Sequence, residues 1–156
     1  MRTLTIAALA ASLAIPATAQ PNPSMGEPTY VSFGFYKATP TAYKRGFTAD
    51  PAQIRVYDGD SFAYKSKTVN YRIVGLDAPE LAIKCEHDRG IAARDEMRRL
   101  LAPGTKVLIR VALKRDRYGR ILAQVLSNGT DVATILVGKG LAHPYDGGHR
   151  PPWPGC

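Results

Sequence analysis

Between Gln53 and Leu126 apolar and polar residues alternate in short runs broken by turn-forming residues. Ile54 and Val56 mark a first strand, stopped by Asp58-Gly59, and Phe62 and Tyr64 a second. After a polar turn near Lys65–Thr68, Val69, Tyr71 and Ile73 define one face of a third strand, with Arg72 on the other. Strands joined by a short turn return antiparallel, so Asp77 is expected beside Asp60 despite the chain between them. The period then changes. Ala93, Met97, Leu100 and Leu101 share one face of a predicted helix, with Asp88 as candidate cap and Pro103-Gly104 as its stop. Val107, Ile109, Val111 and Leu113 alternate over a fourth strand, Asp116–Arg120 is a polar turn, and Ile121 to Leu126 is a fifth. Asn128-Gly129 signals a further turn. A short helix from Asp131 follows, with Val132, Ile135 and Leu136 inward and Gly138 or Gly140 near its end.

This order predicts a mainly β chain with some α (α+β): a five-stranded OB-fold barrel with one longer and one short helix. The barrel domain is expected over 48–145. Residues 20–47, rich in Pro, Thr, Tyr and Gly, read as an arm or linker, with one short strand over Tyr30–Tyr36. Residues 146–156 are turn residues and proline, a strap ending in Cys156.

Composition changes this picture in three places. A chain of 156 residues, 45% apolar and 22% charged, is long enough for one real core and excludes wholesale disorder. Arg2 is the one charged residue of 1–19, Leu4 to Ile15 is apolar, and Ala17-Thr18-Ala19 is an A-x-A signal. That pattern is a secretory signal peptide over 1–19, and the mature chain is expected in the periplasm or outside the cell. No other stretch approaches membrane length, so no insertion is expected after cleavage, and a monomer is expected. An even pair of cysteines in an exported chain makes a Cys85–Cys156 disulfide the default. A zinc site drawn from Cys85, His87, His143, His149 and Cys156 is the sharper alternative, but it lacks paired close spacings. The net charge of +8 is concentrated: Lys84 to Arg120 holds eleven Lys/Arg against five Asp/Glu, a field that suits a polyanion.

The candidate chemistry lies in DGDSFAYKSKTVNYRIVGLDAPE, Asp58 to Glu80. Taken singly, Asp58, Asp60 and Asp77 read as turn aspartates. Together with Glu80 and Arg72 they read as a site, because clustered carboxylates repel one another unless a cation is nearby. Asp60 and Asp77 suit a hard divalent ion beside a phosphate. Glu80 is placed to act as a base or to orient water. Arg72 in an apolar strand and Arg120 at the start of the fifth strand need anions, either a phosphate or these same carboxylates. Tyr118 and Tyr145 offer stacking faces or hydroxyl donors to a nucleotide. The three histidines read as surface residues.

The chain resembles the staphylococcal nuclease (thermonuclease) family over about Gln53 to Tyr145. DGDS at 58–61, YRIVGLDAPE at 71–80, G-I-A-A from Gly90, DRYGR at 116–120 and LVGKGLA at 136–142 carry the resemblance. It implies an OB-fold and a Ca²⁺-dependent phosphodiesterase (Mg²⁺ or Mn²⁺ as alternative ions) that cuts DNA and RNA and leaves 3′-phosphate ends. By motif, Asp60, Asp77 and the backbone carbonyl of Ala78 resemble the metal ligands. Glu80 resembles the residue that orients or deprotonates water, Arg72 and Arg120 the arginines on the scissile phosphate, and Tyr118 a phosphate-contacting tyrosine. Ala78 stands where threonine is usual and Ser61 replaces a common threonine; the long C-terminal helix of the type member is absent. Glu80→Gln and Arg72→Ala are expected to cut turnover and leave the fold intact. The rival class is a non-catalytic nucleic-acid-binding module, which usually loses the carboxylates and arginines kept here.

Overall fold

A computed structural model describes residues 43–156. The expected signal segment, most of the expected arm and the strand expected over Tyr30–Tyr36 lie outside the described residues. In chain order the elements are β1 (Tyr43–Ala49), β2 (Ile54–Val56), β3 (Ser61–Tyr64), β4 (Asn70–Ile73), β5 (Gly75–Asp77), α1 (His87–Leu100), β6 (Val107–Arg115), β7 (Ile121–Ser127), β8 (Thr130–Asp131), α2 (Val132–Gly138) and β9 (His143–Tyr145). One sheet runs β1-β6-β7-β4-β3-β2, with β8 paired to β7, and β5 and β9 form a separate ribbon.

The five expected strands are β2, β3, β4, β6 and β7, but the count of five is too low. Tyr43 to Phe47, expected in the arm, lie in β1, which pairs antiparallel with β6 from Tyr43↔Ala112 to Ala49↔Val107. β5 and β9 pair only with each other, from Gly75↔Tyr145 to Asp77↔His143, a contact between distant segments that no local alternation marks. The hydrogen-bonded path among the described residues runs from β1 to β2 without returning on itself, so the expected mainly β fold with two helices is present with its sheet open.

One pairing matters most for the site. β4 and β7 run parallel, Tyr71↔Ile121 and Arg72↔Leu122, while β3 and β4 are antiparallel with Ser61↔Arg72. The start of β7 is thereby carried alongside the Asp60–Arg72 region. Phe62 stacks on Tyr71 across the β3–β4 pair, ring centres 5.0 Å apart. Behind the sheet Phe62, Ile73, Leu76, Met97, Ile109, Val107, Val125, Val132 and Leu136 are fully buried. Each large apolar side chain so placed contributes about 1.5–3 kcal/mol.

The helices sit where the period placed them, with one change at a terminus. Ala93, Met97 and Leu100 are buried along α1, and Leu101 just beyond it. The N-cap is Glu86 rather than Asp88, and its side chain makes no capping bond. Asp88 lies inside the first turn, where its charge favours the helix dipole. Asp131 caps α2 by accepting from the Ala133 N–H at 2.8 Å.

Close packing fixes the turn before β3. A Cβ on Gly59 would fall 2.6 Å from Ala78 Cβ and 2.7 Å from Ala93 Cβ, so the turn, the Asp77-Ala78 segment and α1 meet through small residues. Gly75, at φ 94, turns the chain from β4 into β5, a conformation glycine adopts without strain. Beyond β9 the strap returns to the body. Trp153 is buried and stacks on His143 with ring centres 3.8 Å apart, so His143 is not the surface histidine expected. Cys156 is bonded to Cys85, Cα atoms 5.6 Å apart, which removes the zinc alternative.

Candidate active site

β3, β4 and β5 deliver the expected cluster. The Asp58 carboxylate closes the turn by accepting from the N–H groups of Asp60 (2.9 Å) and Ser61 (2.6 Å). That turn aims Asp60 inward. Its Oδ2 pairs with Arg72 Nη1 and accepts from the Ala78 N–H at 3.2 Å, while its Oδ1 accepts from Ser61 Oγ at 2.8 Å. Arg72 Nη2 donates to Asp77 Oδ1 at 3.0 Å and to the Leu76 carbonyl at 3.3 Å. Asp60, Arg72 and Asp77 are all buried. One guanidinium thus spans two carboxylates, which is how the antiparallel return brings Asp77 back to Asp60.

Arg120 joins from the start of β7. Asp116 accepts from its Nε at 2.6 Å and from its backbone N–H at 2.8 Å, and Arg120 Nη1 donates to Ser61 Oγ at 3.1 Å. Ser61 therefore links Arg120 to Asp60. Glu80 stands at the rim, its side chain 42% exposed. Its backbone N–H donates to Glu86 Oε2 at 2.7 Å, which ties the segment after Pro79 to the start of α1. Gly90 lets that segment lie flat on the helix, since a Cβ there would be 2.9 Å from the Pro79 carbonyl oxygen.

The sequence did not single out Arg150. Its Nη2 pairs with Asp77 Oδ1 at 2.6 Å and its Nη1 with Glu80 Oε1 at 2.9 Å. It lies seventy residues from Glu80 in a tail of turn residues, and the one sequence signal was that a Cys85–Cys156 bridge would bring the tail to the loop leaving Glu80. Tyr145 is close to two arginines, with the Arg72 and Arg150 guanidinium carbons each 5.8 Å from its ring centre. Tyr118 is 69% exposed at the outer edge, with Arg117 4.9 Å and Arg120 5.5 Å from its ring centre.

The electrostatics follow from burial and this pairing. Burial pushes the Asp58 carboxyl up to about 6, with the charge of Asp60 adding to it. Burial also raises Asp77, against the pull of Arg150 and then Arg72. Burial alone would lower Arg72, yet Asp60 and Asp77 hold it above its ordinary value. Among the described residues no three His, Cys, Asp or Glu side chains form a ready-made cage. The donor set still suits a hard cation. Three carboxylates, Asp60, Asp77 and Glu80, pair with the two guanidinium groups of Arg72 and Arg150, and a fourth, Asp58, lies beside Asp60. The residual charge is negative and every side-chain donor is oxygen, which fits calcium, magnesium or manganese better than a soft metal.

A β platform that gathers buried aspartates, a rim glutamate and arginines at one edge has the makeup of a site that handles phosphate. The chain belongs to the staphylococcal nuclease homologue family, which it matches over residues 70–151. That match holds Arg72, Asp77, Glu80, Arg120 and Arg150 and begins after Asp60. Among curated relatives, Endonuclease YhcR of Bacillus subtilis (strain 168) is 36% identical over 103 residues, covering 58% of this chain and 8% of that protein. An "uncharacterized endonuclease" of Escherichia coli is 38% identical over 96 residues, 60% of this chain and 59% of its own length. The chain therefore spans less than two thirds of either relative.

Proposed function

We propose that this chain is an exported, metal-dependent nuclease that hydrolyses phosphodiester bonds of DNA or RNA and leaves 3′-phosphate ends. The observation that carries the reading is one unbroken line of polar contacts, Arg120–Ser61–Asp60–Arg72–Asp77–Arg150–Glu80. It joins the groups assigned to phosphate, metal and water on one edge of an OB-type platform. Family membership and the endonuclease names of the relatives point the same way.

Asp60, Asp77 and the Ala78 carbonyl are the groups that would hold Ca²⁺, with Mg²⁺ or Mn²⁺ as substitutes. Such an ion, when bound, polarises a phosphoryl oxygen and offsets charge that develops on it. Glu80, at the solvent edge, takes the proton of the attacking water. Asp116 and Ser61 hold Arg120 by its Nε and Nη1, which fixes the direction in which the guanidinium meets a phosphate. Arg72 sets the spacing of the two aspartates and places positive charge beneath the same phosphate. Tyr118, exposed among arginines, and Tyr145 supply faces for the nucleotide.

Plasmid DNA and RNA digested with purified protein in Ca²⁺, in Mg²⁺ and in EDTA test the reaction, with end-group analysis of the products. Metal-dependent cutting to 3′-phosphate ends is expected. Binding without cutting overturns it in favour of a non-catalytic nucleic-acid-binding module. Export is supported by the A-x-A segment and by a disulfide that suits an oxidising compartment. The secreted product should begin at Gln20 and gain two hydrogens on reduction; an intact mass that retains 1–19 contradicts cleavage.

A further inference from the structure

Arg150 has no part in the reaction as derived above, yet its position is built from both sides. Upstream, Tyr145 ends β9, its hydroxyl donates to the Gly148 carbonyl at 3.2 Å, and the Gly148 N–H donates to Asp146 Oδ1 at 3.0 Å. Downstream, Trp153 stacks on His143 and Cys156 is bonded to Cys85, in the loop that leaves Glu80. Between these anchors the guanidinium reaches the two carboxylates assigned to metal and to water, at 2.6 Å and 2.9 Å.

A hard cation takes carboxylate oxygens at about 2.3–2.6 Å. Asp77 Oδ1 already receives Arg72 at 3.0 Å and Arg150 at 2.6 Å, so an ion that draws on that oxygen competes with a guanidinium for it. Arg72 is buried and also tied to Asp60, so it has nowhere to go. Arg150 is 41% exposed and can retreat into solvent. Of the two, Arg150 is the one that yields.

We propose that Arg150 is a tethered cation, held over Asp77 and Glu80 by the disulfide-closed strap, that competes with a divalent ion for the site. The inference rests on the metal-dependent reading of that site. Tethering keeps the local concentration of the guanidinium high, so even a weak pair forms when metal is scarce. Arg150 thereby bridges two carboxylates and offsets part of their mutual repulsion, and it sets the ion concentration at which the site fills. The strap determines metal affinity without supplying a metal ligand.

Calorimetric titration of Ca²⁺ into the wild-type chain, Arg150→Ala, Arg150→Lys and Asp77→Asn, with far-UV spectra as a folding control, tests this without reference to turnover. Arg150→Ala should bind Ca²⁺ roughly threefold to tenfold more tightly than wild type, the range expected for removal of a half-exposed ion pair. Arg150→Lys should restore the weaker binding in part, and Asp77→Asn should lose binding. The double variant Cys85→Ser/Cys156→Ser should move in the direction of Arg150→Ala and add nothing in combination with it. Equal or weaker binding by Arg150→Ala overturns the competition while the metal reading stands. Absence of Ca²⁺ binding in wild type and Arg150→Ala alike overturns both. Additive effects of the cysteine and arginine changes overturn the tether.

Discussion

Arg72 and Glu80 differ in what surrounds them, and their substitutions should differ accordingly. Glu80 is a rim carboxylate, and Glu80→Gln keeps its shape. Turnover should fall by about 10²–10⁴-fold, the range for loss of a general base, while the urea unfolding midpoint stays that of wild type. A variant that retains wild-type rate would remove Glu80 from the reaction. Arg72 is 5% exposed and spans Asp60 and Asp77. Arg72→Ala leaves two buried carboxylates without their shared cation, a loss of about 3–5 kcal/mol when one partner of a buried pair is removed. The sequence expectation that this variant keeps an intact fold is therefore replaced: unfolding in urea should show a lower midpoint along with the lost activity. At this scale the carboxylates and arginines were legible because Arg72 breaks an apolar strand and the aspartates bracket a hairpin. Arg150 was not, because no local pattern marks a residue whose partners lie seventy positions away.

Strands and helices were readable where they are long enough to repeat. β6, with Val107, Ile109 and Val111 buried in alternation, declares its face. β1 does so weakly, since Arg45 interrupts the run from Tyr43 through Phe47 to Ala49, and its pairing with β6 supplies what its own pattern lacks. Elements meet the site through small residues, and Gly59 is the tightest. Gly59→Ala drives a methyl into Ala78 and Ala93; overpacking of this kind costs about 1–3 kcal/mol. It should weaken Ca²⁺ binding as well as stability, because the displaced turn carries Asp60; an unchanged melting curve would show that the turn gives way freely. A second link joins the helices. Glu96 on α1 accepts from Arg99 at 2.9 and 2.7 Å and from Lys139, at the end of α2, at 2.8 Å. The Arg99 hydrogen bonds first, then Lys139, hold its carboxyl down to about 2, despite some opposing desolvation. A depressed carboxylate stabilises the fold above its unfolded pKa, and that contribution is lost as pH falls from about 4.5 to about 2. Glu96→Gln should show a shallower loss of stability across that interval than wild type, measured by urea melts at stepped pH. Parallel curves would assign the acid sensitivity elsewhere.

For the whole molecule, the order of strands and helices was legible from punctuation, and the bridge from the cysteine count, whereas the joining of β4 to β7 was not. Nothing in either strand announces a parallel partner, since Tyr71 and Ile121 lie fifty residues apart. The seam has a kinetic consequence. The β3–β4 and β6–β7 pairs are local hairpins that can form from nearby chain, and α1 needs only its own turns. The seam between the hairpins costs loop-closure entropy before any contact across it offsets that cost. Arg120 meets Ser61 only once the seam has closed. After dilution from urea, far-UV ellipticity should recover ahead of nuclease activity; coincident recovery of both signals would place seam closure early. A chain that regains its hairpins before its seam would pass through a stage with its shape largely formed and its chemistry still missing.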